Sequence, residues 1–167
     1  MVTRPPAASQ APPSPQQVRA TLDAVADPEM PAVSIGDLGM VVGVRVDGGR
    51  VEVDLVATFS ACPATALIGH DVAAAVGELD GVTEVVVRFV QDVVWEPGRI
   101  SARGREQLRA FGIAPPGSGQ ALPRIGGVRC PLCGSRDTGS DTPFGPTPCR
   151  AVHYCRACRN PFEAIKP

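Results

Sequence analysis

Hydrophobic residues near the start of the chain are spaced as on one face of a helix. From residue 16 onward, Val18, Leu22 and Val25 fall on that face. Asp27-Pro28 ends the helix, because a proline disfavours helical backbone in the residue before it. We therefore predict that the first element is an amphipathic helix, followed by a short loop.

The next segments change to a strand-like pattern. Residues 38–46 and 51–59 are rich in valine, and Asp47-Gly48-Gly49 between them favours a tight hairpin turn. We predict two antiparallel strands.

A second helix and a third strand follow. Pro63 suits the first position of a helix, where its missing N–H is not needed, and apolar residues recur at helical spacing from there to residue 79. After Asp80-Gly81, residues 82–90 form a valine-rich strand, and a strand-helix-strand unit of this length favours parallel pairing. The pattern thus predicts a small α+β (α/β) domain of order α-β-β-α-β with a three-stranded mixed sheet.

The remaining segments define the predicted domain organisation. Residues 1–15 contain five prolines and are expected to be a disordered leader. The first domain spans 16–111 and ends in a polar helix at 101–111, capped by Ser101 and expected to pack loosely. Residues 112–124 have the Pro/Gly/Ser-rich composition of a linker, and 125–167 form a second, cysteine-rich module.

Composition excludes several classes of protein. The chain has 167 residues, 44% hydrophobic and 20% charged, with no apolar run of the ~18 residues that span a membrane and no secretory signal, so we expect a cytoplasmic protein. The net charge of −1 conceals two halves of opposite sign. Residues 1–123 carry 9 arginines and 14 acidic residues, whereas 124–167 carry 7 basic and 3 acidic residues. The tail is therefore the basic part of the molecule.

Four cysteines of the tail predict a metal site. Five of the six cysteines fall in the last 38 residues, and Cys130/Cys133 and Cys155/Cys158 form two C-x-x-C pairs. Two residues between thiolates allow both sulfurs to bind one ion, as in a zinc ribbon. Disulfides are disfavoured in a reducing compartment. Zinc is the expected metal, with an iron–sulfur cluster as the alternative that Cys₄ ligation also allows.

Two further tail residues leave alternatives open. Cys149 is a fifth thiol near the four. It is not a ligand of a four-coordinate zinc, replaces one knuckle cysteine as a ligand, or acts as a redox-active thiol or part of an iron–sulfur site. His153, between the knuckles, is expected to be a strand residue and not a ligand.

Cys62 is the one cysteine of the first domain. At or just before a helix N-terminus, the unpaired N–H groups and the helix dipole are expected to lower its pKa and favour a reactive thiolate or a transient ligand for iron or a cluster. The alternative is a small buried hydrophobe. His70 is expected to lie on the helix surface and not to act as a base for the thiol.

Acidic residues in the loop before the first strand complete the candidate site. Asp27, Glu29 and Asp37 are expected either to form turns or to place carboxylates near the helix tip that carries Cys62.

Two stretches of sequence resemble a known family. Residues 27–39, DPEMPAVSIGDLG, and residues 58–65, TFSACPAT, are similar to the SufT-like domain family linked to iron–sulfur cluster assembly. The resemblance covers about residues 16–100 and implies functional roles for Asp27, Glu29, Asp37 and Cys62. Residues 130–162, including Cys149, resemble the tail of accessory proteins of the oxygenase that epoxidises the ring of phenylacetyl-CoA.

This resemblance implies a cytoplasmic accessory protein of aerobic phenylacetate degradation that assists insertion of iron or iron–sulfur clusters. The implied partners are the oxygenase and reductase subunits and the iron–sulfur assembly machinery. Catalysis by the chain itself is not expected, since it has neither the Glu-x-x-His pair of a di-iron bundle nor a G-x-G-x-x-G nucleotide motif after a strand.

Two other functional classes remain as alternatives. The protein is a structural adaptor that docks on the oxygenase through the basic tail, or the tail is a nucleic-acid-binding ribbon. Scattered arginines, only three tail aromatics and an acidic first domain disfavour nucleic acid.

Overall fold

The computed structural model describes residues 11–117 and 127–166. Its helices, in chain order α1 to α3, are Pro15–Leu22, Thr65–Gly77 and Ala102–Ala110. Its strands, in chain order β1 to β9, are Ala26–Asp27, Met30–Ser34, Val41–Asp47, Arg50–Leu55, Glu84–Phe89, Ile113–Ala114, Thr138–Thr142, Arg150–Cys155 and Asn160–Ile165. Most of the predicted leader, 1–10, and most of the predicted linker, 118–124, lie outside the described residues.

The central sheet has the order β3-β4-β5. β3 pairs antiparallel with β4, whereas β4 pairs parallel with β5 across the crossover helix α2. Val51, Val53 and Leu55 point into the core, where Ile68 and Val72 of α2 are also buried. The predicted α+β domain with a mixed three-stranded sheet is confirmed.

The other face of this sheet carries ion pairs. Arg45 and Arg88 each contact both Glu52 and Asp54 at 2.8–3.2 Å. Although burial acts in the opposite direction, Arg88 and Arg45 hold the pKa of the Asp54 carboxyl below its usual value. Both arginine side chains are about half exposed to solvent, so these pairs contribute little to stability.

The first helix and the following loop differ from the prediction. Ser14 caps α1, its side chain accepting a hydrogen bond from the Gln17 N–H, and the helix ends at Leu22. The loop that follows contains the small β1-β2 hairpin, in which Ala26 pairs with Ser34. Its buried Met30 and Val33 are held by packing against the core, which local spacing does not reveal.

Helix α3 packs tightly, contrary to the expectation of loose packing. Ser101 is the N-cap as predicted and accepts a hydrogen bond from the Gly104 N–H. Leu108 is fully buried. A Cβ at Gly104 would lie 2.8 Å from the Asp37 carbonyl oxygen, so only glycine allows the helix to approach the β2-β3 loop this closely.

A second sheet, β6-β9-β8-β7, joins the cysteine-rich tail to the first domain. We call β7, β8 and β9 with their connecting turns the ribbon. β6 falls within the predicted linker, where little order was expected, and pairs parallel with β9 through Ile113 and Ala114. Ile113 and Ile165 are buried in the main core. The ribbon is therefore packed against the first domain, and the domain boundaries stay a prediction.

Across the described parts of the chain, none of the helices combines the length and apolar character needed to cross a bilayer.

Candidate functional site

Four cysteines meet at one end of the ribbon. Cys130 and Cys133 lie in a knuckle before β7, in which the Gly134 N–H donates to the Cys130 carbonyl at 2.9 Å and the Cys130 N–H donates to Ser135. Gly134 has φ +75°, the left-handed backbone that closes such a turn. Cys155 ends β8, and Cys158 lies in the turn to β9.

Their sulfur atoms are spaced as ligands of one ion. Cys130 Sγ lies 3.8 Å from Cys158 Sγ, and Cys133 Sγ lies 3.6 Å from Cys155 Sγ. All four lie within 4.8 Å of one another. Tetrahedral zinc with bonds of about 2.3 Å would hold its sulfurs about 3.8 Å apart. The donor set and spacing therefore fit one tetrahedral metal ion such as zinc.

Local contacts prepare one of these thiols for binding. Asn160, whose side-chain amide also donates to the Cys158 carbonyl at 2.9 Å, lowers the pKa of the Cys158 thiol to about 7. Cys130 and Cys155 are buried, whereas Cys133 is exposed, so the site is closed on the side of the ribbon core. A closed Cys₄ site is typical of structural metal.

Cys149 lies apart from this group. It precedes β8, whereas Cys155 ends that strand, and six residues of strand span about 20 Å. The thiol is buried and lies 3.1 Å from the Thr147 hydroxyl. The alternative in which Cys149 replaces a knuckle cysteine in the tail is therefore wrong.

His153 is a strand residue, as expected. Its ring stacks on Phe162 with centroids 5.6 Å apart, and burial lowers the pKa of its imidazole. It does not belong to the four-cysteine group that the described residues form.

Cys62 lies before α2, though farther from it than expected. Ala64 is the N-cap, so Cys62 is two residues outside the helix and Pro63 is not at its first position. The thiol is half-buried. Burial raises the pKa of Cys62, and the nearby Cys149, Asp27 and Glu29 act in the same direction, while a hydrogen bond from the Ala64 backbone opposes them. The prediction of a lowered pKa is wrong, because desolvation outweighs the helix end.

The three acidic residues do not act as one group. Asp27 and Glu29 lie near enough to Cys62 to influence its ionisation. Asp37 instead binds Ser101, Arg103 and Ser34 and anchors the start of α3. Asp37 thus has a structural position that its place in the loop did not reveal.

Asp27 is buried, and its Oδ1 accepts hydrogen bonds from the Glu29 and Met30 N–H groups at 2.8 and 2.9 Å. Burial raises its pKa, so the folded state disfavours the carboxylate and stability falls as pH rises from the unfolded pKa, about 3.9, through the folded pKa. We expect Asp27→Asn, which keeps the acceptor, to raise the free energy of unfolding at pH 7 by up to about 1 kcal/mol.

Urea unfolding at pH 7 measures this effect. Asp27→Ala is the matched control, since it removes the acceptor and should cost about 1–2 kcal/mol. An Asp27→Asn protein as unstable as Asp27→Ala would contradict the assignment of a desolvation penalty to this carboxylate.

Sequence reasoning did not find the ribbon residues that face the Cys62 turn, which we define as residues 59–62. Lys166 Nζ lies 5.6 Å from the centre of the Phe59 ring. Arg150 is buried, pairs with Glu163 at 2.6 Å and lowers the pKa of Asp27 against the effect of burial. These residues are more than 80 positions from the Cys62 turn, and no local signal marks them.

Comparison with known families agrees with this two-part architecture. Residues 15–87 match the family model of iron–sulfur cluster assembly proteins, and residues 115–166 match the PaaD zinc beta ribbon domain. The protein therefore combines an iron–sulfur-assembly-type domain with a zinc-ribbon domain. Two solved structures share the first domain, and both have a TM-score above 0.5.

The first of these is a domain of unknown function from Bacillus anthracis, with 29% identity, a TM-score of 0.53 and coverage of 56% of this chain and 90% of its own. The second is a conserved hypothetical protein from Thermotoga maritima, with 28% identity, a TM-score of 0.51 and coverage of 58% and 95%. Over nearly its full length, the chain is 37% identical to a 1,2-phenylacetyl-CoA epoxidase subunit of Escherichia coli (strain K12), across 95% of this chain and 96% of that protein. The chain belongs to the family of this epoxidase subunit.

Proposed function

We propose that the protein is an accessory maturation factor of the multicomponent oxygenase that epoxidises the ring of phenylacetyl-CoA. In this role it assists insertion of iron or iron–sulfur clusters into the oxygenase or reductase subunits. The observation that carries the proposal is the presence of two separate thiol sites in one chain, the closed four-cysteine group and the more open Cys62 turn.

The two sites have different tasks in this proposal. The four ribbon cysteines hold zinc, which stabilises the ribbon. Cys62 binds iron or a cluster as cargo, and its half-buried thiol stays protonated until the metal displaces the proton, because burial raises its pKa. The family membership and the resemblance to an iron–sulfur assembly domain support this assignment.

The test is metal content of the client enzyme made in cells. The oxygenase and reductase subunits are produced with the wild-type protein, with Cys62→Ser or with Ser60→Ala, a matched control at an exposed position of the same turn. We expect Cys62→Ser to lower iron and sulfide per reductase, and epoxidase activity, at least fivefold, while Ser60→Ala leaves them unchanged. Equal metal content in all three preparations would refute the proposed role of Cys62.

A second candidate function is a structural adaptor that docks through the ribbon. The observation that favours it is the exposure of Arg129, Arg136 and Arg159 on the basic ribbon. An adaptor remains with the oxygenase in stoichiometric amounts, and this association weakens as salt rises because exposed charges are screened. A maturation factor is recovered in substoichiometric amounts, so the ratio of the two proteins after purification separates the functions.

A further inference from the structure

Cys149 marks the end of the ribbon that faces the first domain. The four-cysteine group occupies the opposite end, about 20 Å away along β8. The Lys166 N–H donates to the Cys149 carbonyl at 2.9 Å, which extends the pairing of β8 with β9. Ile165, next to Lys166, is buried in the core of the first domain. Cys149 is thereby held at the contact between the two parts of the protein.

The Cys62 turn lies on the other side of this contact. The Cys62 N–H donates to the Phe59 carbonyl at 3.0 Å, which closes the turn. The Lys166 side chain reaches over the Phe59 ring. Lys166 therefore contacts both Cys149, through its backbone, and the Cys62 turn, through its side chain. The Cys149 thiol also affects the ionisation of Cys62, which agrees with this proximity.

We propose that Cys62 and Cys149 together form a two-thiol binding site for ferrous iron, built from both parts of the chain. This inference rests on the proposed function and adds the second ligand of its cargo site. The carboxylates of Asp27 and Glu29 lie on the Cys62 side of the site and offer oxygen ligands to the same ion. Mixed thiolate and carboxylate donors suit iron.

The charges around the site allow two thiolates to form. Binding of Fe²⁺ displaces one proton from each thiol to solvent, and no electron is transferred. Arg150 donates to the Thr147 hydroxyl at 2.8 Å, and that hydroxyl contacts the Cys149 sulfur. Arg150 and Lys166 thus place positive charge beside a site that becomes negative. A buried thiolate needs such compensation.

The first experiment measures binding of Fe²⁺ to the full-length, zinc-loaded protein without oxygen, in competition with a ferrous chelator. We expect about one iron per chain in addition to zinc, and at least tenfold weaker binding in both Cys62→Ser and Cys149→Ser. Ser60→Ala is the control and should bind like the wild type. Zinc content equal to that of the wild type shows that the ribbon is intact in each variant.

The outcomes separate the inference from the proposed function. If Cys62→Ser weakens binding and Cys149→Ser does not, the two-thiol site is overturned and Cys62 remains as the iron ligand. If the wild type binds no iron beyond its zinc, both proposals fail.

A second measurement needs no variant. Diamide, a two-electron oxidant, takes up the two thiol hydrogens as a disulfide forms, while zinc protects the ribbon cysteines. We expect peptide mapping to recover a peptide with Cys62 linked to a peptide with Cys149 within one chain. Oxidation that leaves both thiols free, or links them only between chains, would overturn the inference.

Discussion

Removal of metal from the ribbon is expected to unfold β7, β8 and β9 and to lower the thermal stability of the whole chain. The ribbon has a small hydrophobic core of its own. Its buried members are Ala114, Cys130, Cys155, Phe162 and Ala164. Such a core cannot offset the conformational entropy lost when the ribbon folds, so metal binding supplies the remaining stability.

The expected effect is large. Structural zinc contributes roughly 10–16 kcal/mol of apparent binding energy to small zinc-finger peptides at pH 7. Because Ile165 is buried in the core of the first domain and β9 pairs with β6, loss of the ribbon also exposes part of that core. A chelator-treated protein should therefore unfold at lower temperature in both its parts.

Cys155→Ser tests the same point by mutation. Cys155 is fully buried within the four-cysteine group, and serine is a poor substitute for a thiolate. We expect less than about a tenth of the wild-type zinc content and loss of hydrogen-exchange protection in β8. Cys149→Ser is the matched control and should retain its zinc. A Cys155→Ser protein with full zinc content would show that the group does not bind metal as described.

Asp37→Ala is expected to lower the free energy of unfolding by about 2–4 kcal/mol. The Asp37 carboxylate accepts hydrogen bonds from the Ser101 hydroxyl at 2.5 Å and from Arg103 Nε at 2.8 Å. The Ser34 hydroxyl also donates to it, at 3.2 Å. Alanine would leave these donors without their acceptor and would detach the start of α3 from the first domain.

The same carboxylate predicts a pH dependence. Although burial acts in the opposite direction, hydrogen bonds from Ser101 and Arg103 lower the pKa of Asp37. Its contribution to stability is therefore present above the unfolded pKa of about 3.9 and is lost as pH falls through the lower folded pKa. Asp37→Asn should remove this acid-dependent contribution.

Chemical denaturation between pH 2 and pH 7 measures both effects. Asp92→Ala, at an exposed position, is the matched control and should change stability by less than about 0.5 kcal/mol. If Asp37→Ala were as mild as this control, Asp37 would not anchor α3 and its hydrogen bonds would contribute little.

The sequence by itself determined the features that depend on short spacing. Valine-rich segments around Asp47-Gly48-Gly49 predicted the β3-β4 hairpin, because the turn and the side-chain alternation are both local. The two C-x-x-C pairs likewise predicted the four-cysteine group, since two intervening residues bring a pair of sulfurs to one side of a turn. Ser101 was recognisable as a helix cap for the same reason.

Only the tertiary structure decided what distant segments do to one another. Asp37 was placed with Cys62 from its position in the loop, yet packing of α3 brings Ser101 and Arg103 to it instead. Burial, which no local pattern specifies, raised the pKa of Cys62 where its nearness to a helix predicted the opposite. Pairing of β6 with β9 brought the Cys149 end of the ribbon to the first domain, because backbone hydrogen bonds and a shared core hold segments together irrespective of their separation in sequence.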